Sequence, residues 1–141
     1  IAGVRIGYAF TSAEIATEMN KVRGVFNVNR IAQAAACAAL QDEDHIEKTV
    51  ALNKQSLDAM MAYFDEKGLP YAPADANFVF VDTKRDSRVV FDKLQRMGVI
   101  MRPGFLWGYD TYMRVSSGTM EQTEIFIEAM EEVLAAVDTI K

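Results

Sequence analysis

At 141 residues, half of them hydrophobic and a quarter charged, the chain has the composition of one compact globular domain, or of a small domain with a piece of another. A net charge of −5 argues against general nucleic-acid binding, which needs a surplus of Lys and Arg, and no apolar run approaches the roughly 20 residues of a membrane span. One cysteine, Cys37, excludes an internal disulfide framework, and one histidine, His45, removes any Cys/His zinc pattern. No basic segment followed by an apolar stretch marks a secretory signal. The sequence starts without Met in a strand-like run, as a truncated chain does, and reads as part of a soluble cytoplasmic protein.

The opening segment Gly3-Val4-Arg5-Ile6-Gly7-Tyr8-Ala9-Phe10 alternates with period two and predicts a strand, with Val4, Ile6, Tyr8 and Phe10 on one face and Arg5, Gly7 and Ala9 on the other. Thr11-Ser12 offers an N-cap for a short helix over about 13–23, and 24–29 reads as a connector. Asn29 caps an Ala-rich helix through Leu40. Its run Ala34-Ala35-Ala36-Cys37-Ala38-Ala39 joins high helix propensity to little bulk, which suits close packing. Asp42 caps the longest helix, with Glu43 and Asp44 in the first turn, where negative charge meets the positive end of the helix dipole. Ile46, Val50, Leu57, Met60, Met61 and Phe64 keep helical spacing along it, and Lys67-Gly68 followed by Pro70 stops it.

Residues 78–81 read as a strand, and Asp86 caps a helix lined by Val90, Phe91, Leu94 and Met97, which Gly98 ends. Val99-Ile100-Met101 is expected as a short strand, Arg102-Pro103-Gly104 as the start of a loop, and 112–116 as a further strand. Thr119-Met120-Glu121-Gln122 fits the capping box of a last helix carrying Ile127, Met130, Val133, Leu134 and Val137. The order from Phe78 is strand, helix, strand, strand, helix, which implies a small α/β unit with helices on one face of a short sheet. No internal repeat or low-complexity linker interrupts it.

Three arginines stand where chemistry is conceivable. Arg5 sits among small residues on its strand face, which leaves room for a sizeable group. Arg114 points away from Met113 and Val115, whose apolar side chains belong to a core, and Arg102 is held extended by the following proline. If the strands of Arg102 and Arg114 are neighbours, two guanidinium forks converge near a sheet end and match the oxygens of a carboxylate or phosphate bidentately. The plain alternative is that each is a solvated strand-end charge or half of a surface ion pair. His45 is more simply a solvated helix-face residue than an acid–base group, and Cys37 a small buried residue rather than a reactive thiol. Asn27 and Asn77 suit turns or caps as well as ligand contacts; Trp107 and Tyr109 either line a substrate pocket or pack their own loop. The eight methionines fit an irregular core.

Ala2-Gly3-Val4-Arg5-Ile6-Gly7-Tyr8 resembles the segment that follows the cofactor lysine in fold-type I pyridoxal-phosphate-dependent aminotransferases of class I/II. Asn27-Val28-Asn29 with Ala32-Gln33 resembles the lead into that family's interdomain helices, and Asn77-Phe78-Val79-Phe80-Val81 the strand entering its small domain. Gly98-Val99-Ile100-Met101-Arg102 and Met113-Arg114-Val115-Ser116-Ser117-Gly118-Thr119 are similar to the last two motifs of the histidinol-phosphate branch. The likeness runs through essentially the whole chain, its motifs in the family's order.

The resemblance implies the C-terminal portion of an α/β fold-type I transferase, in which 1–28 ends a large cofactor-binding domain, 29–69 forms interdomain helices and 70–141 is the small C-terminal domain. It further implies that Arg5 binds the phosphate of pyridoxal phosphate. Arg114 is to hold the α-carboxylate of amino- and keto-acid substrates, or the phosphate of histidinol phosphate in its place, with Arg102 balancing the dianion's second charge. The implied activity is amino transfer between histidinol phosphate and the 2-oxoglutarate/glutamate pair in histidine biosynthesis, by a cytoplasmic homodimer. The family's Schiff-base lysine falls upstream of Ile1, and Lys21, Lys48, Lys54, Lys67, Lys84, Lys93 and Lys141 match no such motif, so the chain alone is expected to lack the catalytic residue and transaminase activity. Rival readings are an aromatic or broad-range aminotransferase, a related pyridoxal-phosphate-dependent decarboxylase of phosphate esters, and a non-catalytic α/β module holding an anion with Arg102 and Arg114.

Overall fold

The structure is a computed structural model describing residues 1–139; Lys141, among the lysines considered above, and the end of the 70–141 range lie outside the described residues. The chain divides into two compact units, residues 1–47 and the residues from Lys48 onward.

In the first unit the helices form where their caps place them. α1 spans Ala13–Val22, with Ser12 Oγ accepting the Ile15 amide at 3.3 Å; α2 spans Arg30–Ala39, with Asn29 Oδ1 accepting the Ala32 amide at 2.8 Å. The expected strand over 3–10 does not form. Ala2–Val4 is a turn of 3-10 helix, Arg5 follows in the left-handed region at φ 58°, and residues 6–12 continue without a ladder. A strand exists only by pairing, and among the described residues no segment exchanges ladder hydrogen bonds with this one. Tyr8 and Phe10, edge to face with centroids 5.5 Å apart, are therefore largely exposed. Ala32 is the one buried residue among the described residues of this unit, and Cys37, expected inside, is exposed because the alanine-rich face of α2 closes on little else there.

α3, Glu43–Glu66, begins in the first unit and continues in the second, its start capped by Asp42 Oδ1, which accepts the His45 amide at 3.2 Å. It ends because Gly68 adopts φ 62°, which lets the Leu69 amide reach back to the Phe64 carbonyl at 2.9 Å.

The second unit is built on an antiparallel sheet of order β1-β3-β2, comprising β1 (Phe78–Asp82), β2 (Arg102–Pro103) and β3 (Tyr112–Ser116). α4 (Ser87–Arg96) lies between β1 and β2 in sequence, and α5 (Met120–Ala136) follows β3. Alternation sends Val79 and Val81 of β1 and Met113 and Val115 of β3 to one face, all buried. There they meet Val90 and Leu94 of α4, Phe126 and Met130 of α5, and Met60 and Phe64 of α3, so the helices cover one face as expected. Four methionines, Met60, Met101, Met113 and Met130, are buried. The outer edge of β1 is closed by the connector after α3, where the Ala72 amide donates to the Phe80 carbonyl at 2.9 Å and the Asp82 amide to Pro70 at 2.7 Å.

The short strand expected at Val99-Ile100-Met101 falls later. Arg102–Pro103, expected to open a loop, is β2, and Gly104–Trp107 continues as a 3-10 turn. The Val99 amide is already committed to the Leu94 carbonyl at 2.9 Å, capping α4, and the segment stands off from β3 to line a cavity instead of pairing.

Two side-chain networks tie α5 into place. Arg85 donates from Nε to the Val137 carbonyl and from Nη2 to the Leu134 carbonyl, both at 2.9 Å, and from Nη1 to Thr83 at 2.8 Å, so one guanidinium satisfies carbonyls that the end of α5 leaves open. Arg85→Ala is expected to lower stability by about 1–3 kcal/mol, read from the urea unfolding midpoint; an unchanged midpoint would remove this account of how α5 ends. Farther along, Glu131 accepts from Lys67 Nζ at 2.8 Å and from the buried Tyr63 hydroxyl at 3.1 Å. The Lys67 hydrogen bond holds the Glu131 carboxyl below its usual range, so this clasp is present at neutral pH and is lost as pH falls through that lowered value. No helix among the described residues is long and apolar enough to cross a membrane.

Candidate anion site

Arg102 and Arg114 are direct cross-strand partners in the β2–β3 ladder. Opposed residues on one face of an antiparallel pair have Cβ atoms about 4.5–5.5 Å apart, so the two side chains leave the sheet together. Arg102 is exposed and Arg114 half-buried. The Arg114 guanidinium lies over the Phe78 ring, 5.0 Å from its centroid, which steadies the fork. Its Nε is buried and has no hydrogen-bond partner. A buried guanidinium donor without an acceptor costs stability, and two like charges set side by side repel. Among the described residues no carboxylate forms an ion pair with either arginine.

Both arginines line a cavity of about 660 Å³ whose walls also include the stand-off segment from Val99 to Met101, Leu106, the turn Ser116–Gly118 that links β3 to α5, and Met60, Thr123 and Phe126 of α3 and α5. The amides of residues 117–119 in and after the turn are already engaged. The Ser117 amide donates to the Asn77 carbonyl at 2.9 Å, Gly118 to Ser56 Oγ at 3.3 Å, and Thr119 to Gln122 Oε1 at 3.0 Å within the expected capping box. The cationic side chains on its wall are those of Arg102 and Arg114.

Arg5 belongs to the first unit, where it is exposed; Nη1 donates to the Ala2 carbonyl at 3.1 Å, and no further hydrogen bond from this guanidinium occurs among the described residues. Trp107 and Tyr109 take the packing role: their rings sit 6.2 and 5.4 Å from Phe80, on the outer side of the sheet, and neither lines the cavity. His45 is exposed at the start of α3, as a solvated helix-face residue is expected to be. The Asn77 carbonyl accepts the Ser117 amide at 2.9 Å, a turn role. Asn27 is exposed and lines a second hollow, in the first unit, with Arg23 and Gln33.

Sequence reasoning missed Asn53 and Ser56 of α3, which grip the Ser116–Gly118 turn from behind. Asn53 Oδ1 accepts from Ser117 Oγ at 2.6 Å. The signal was present: the apolar series 46, 50, 57, 60, 64 leaves a gap at 53, where a polar residue interrupts the stripe.

The chain belongs to the aminotransferase class I and II family, whose profile matches residues 1–130. Among curated proteins it is similar to the histidinol-phosphate aminotransferase of Moorella thermoacetica, 49% identical over 135 residues, which are 96% of this chain and 35% of the relative. It is likewise similar to that of Caldicellulosiruptor saccharolyticus, 48% identical over 134 residues, 95% of this chain and 37% of the relative. The structure superposes with a TM-score of 0.78 on histidinol-phosphate aminotransferase from Sinorhizobium meliloti solved in complex with pyridoxal-5'-phosphate, at 30% identity, covering 96% of this chain and 38% of that one. The α/β architecture is accordingly that of fold-type I aminotransferases over the portion spanned. That portion is about a third of the length of the curated relatives matched, 35% and 37%.

Proposed function

We propose that this chain supplies the substrate-anion receptor of a pyridoxal-phosphate-dependent aminotransferase that moves an amino group between histidinol phosphate and the 2-oxoglutarate/glutamate pair, in histidine biosynthesis. The observation that carries the reading is the cross-strand pair Arg102 and Arg114, with a buried Nε lacking an acceptor, beside a cavity of about 660 Å³. Two adjacent guanidiniums suit a phosphate monoester, which carries about −1.5 to −2 charges near pH 7, better than they suit a single carboxylate. Arg114, the more buried of the two, would grip either anion, and Arg102 would answer the second charge of the phosphate. The names of the relatives support the same substrate.

The cofactor follows from the family and from the Sinorhizobium meliloti complex. In this chain Arg5 is the group that would hold its phosphate: the guanidinium spends one donor on the Ala2 carbonyl, and the rest of its fork suits a phosphate, though one exposed arginine is only part of such a site. Pyridoxal phosphate, when bound, supplies the electron sink for amino-group chemistry. What the chain's own residues do is bind and orient: Arg102 and Arg114 fix the anionic end of the substrate, beside an apolar wall that includes Val99, Met101 and Leu106. Residues 1–28 would end the large cofactor domain, 29–69 connect, and 70–141 form the small domain, in a cytoplasmic homodimer.

Steady-state kinetics of the complete protein test the reading. Arg102→Ala is expected to raise KM for histidinol phosphate about tenfold while raising that for glutamate about twofold or less, since only the phosphate needs the second positive charge. Equal effects on the two substrates would reduce Arg102 to a structural residue. A donor profile led by aromatic amino acids, or carbon dioxide release from a phosphorylated amino acid, would replace the substrate assignment.

A further inference from the structure

The turn beside Arg114 is held from behind by two polar side chains one helical turn apart on α3. Asn53 occupies a position on the stripe that buries Leu57, Met60 and Phe64, where an apolar residue is the default. Its Nδ2 donates to the Ala76 carbonyl at 3.3 Å, which orients the amide so that Oδ1 accepts the Ser117 hydroxyl at 2.6 Å. Ser56 is fully buried. The Thr123 hydroxyl gives its single proton to the Thr119 carbonyl at 2.9 Å, so Ser56 gives its own to Thr123 Oγ1 at 2.8 Å and accepts the Gly118 amide at 3.3 Å. The result is a directed chain, Gly118 amide to Ser56 to Thr123 to the Thr119 carbonyl, in which every hydroxyl proton has an acceptor.

A satisfied buried network adds one defined geometry, because any shift of the turn leaves a polar group unpaired in a low-dielectric interior. Asn53 and Ser56 do not line the cavity, while Ser117 and Gly118 do. We propose that Asn53 and Ser56 are positioning residues of the anion site, setting from α3 how far the Ser117–Gly118 wall stands from Arg114 and so how well the cavity fits a tetrahedral phosphate rather than a flat carboxylate. The proposal deepens the functional reading above and rests on it.

A double-mutant cycle in the complete enzyme, loaded with its cofactor, tests it. The variants are Asn53→Ala, Ser117→Ala and the pair, assayed with histidinol phosphate and with glutamate, and each is melted thermally to confirm folding. Asn53→Ala is expected to raise KM for histidinol phosphate about three- to tenfold with kcat within about twofold, as loss of one positioning hydrogen bond would, and KM for glutamate is expected to move less. Because Asn53 acts through Ser117, the double variant should be no worse than the more affected single one. Ser56→Ala, which removes the link to Gly118 independently, should show the same KM-against-kcat split. Additive effects in the cycle, or an unchanged KM with a general loss of stability, would make these bonds merely structural and overturn the proposal. Arg114→Ala is the separating arm. If it leaves KM for histidinol phosphate unaltered, the anion-site reading itself fails, whereas a strong Arg114 effect beside a silent Asn53 variant defeats the positioning role alone.

Discussion

Arg114→Ala in the complete enzyme is expected to lower kcat/KM for histidinol phosphate about a hundred- to a thousandfold, the loss of two charge-assisted hydrogen bonds at about 1.5–2 kcal/mol each. The expectation follows from where the side chain sits. It is half-buried, laid over Phe78 and placed with its Nε shielded from solvent and without an acceptor, so ligand oxygens replace nothing that the protein itself provides. Lysine at this position should recover only a small part of the loss, because an ammonium keeps the charge and gives up the planar fork. The fold should survive either change, since the guanidinium makes no ion pair among the described residues. Thermal melting beside the kinetics separates binding from folding. A kcat/KM within a few-fold of the parent would show that the anion is held elsewhere.

The second large effect concerns Gly104, a residue with no side chain to contribute. A Cβ built there would stand 2.5 Å from the Tyr109 carbonyl oxygen, 2.6 Å from that of Tyr112 and 2.9 Å from the Tyr112 Cβ. Two of these atoms are backbone and cannot swing aside, so the 3-10 turn Gly104–Trp107 must lift away from β3. Gly104→Ala is expected to cost at least about 3 kcal/mol, at the upper end for overpacking, with a corresponding fall in Tm. Arg102 lies two residues earlier in the same run, so its pairing with Arg114 should loosen and KM for histidinol phosphate should rise in whatever folded protein remains. Gly68→Ala makes the useful contrast. It meets no atom within 4 Å but sits at φ 62°, and should cost only about 1 kcal/mol through backbone strain. If the two alanine variants melted alike, close approach would not be the reason that glycine occupies position 104.

What the sequence made legible was whatever is decided within one turn of chain. Ser12, Asn29, Asp42, Asp86 and Thr119 were each readable as helix caps, because a cap is a side chain bonding an amide two or three residues on, and all five make that bond. The limits of β3 were readable for a similar reason, since alternation of Met113 and Val115 against Arg114 needs no knowledge of the partner strand. Non-local bonds defeated the same reasoning. The run from Gly3 to Phe10 has the alternation of a strand but no ladder partner among the described residues, and Val99 spends its amide on Leu94, which pushes β2 to Arg102. Burial of Cys37 was inferred from small neighbours, but smallness permits packing without supplying a partner. The two arginines of the site were legible as a pair only on the condition that their strands were adjacent. Asn53, sixty-four residues from Ser117, gave no local clue beyond the gap it makes in an apolar stripe.

β3 is the inner strand of its sheet, hydrogen-bonded to β1 along one margin and to β2 along the other. The backbone that carries its Arg114 is therefore tethered from both sides. If this side chain receives the substrate's anion as proposed, the backbone beneath it is set before arrival, and less ordering entropy remains to be lost at capture. On that proposal, discrimination between cargoes would draw on the stiffness of the mount as well as on the charge it carries.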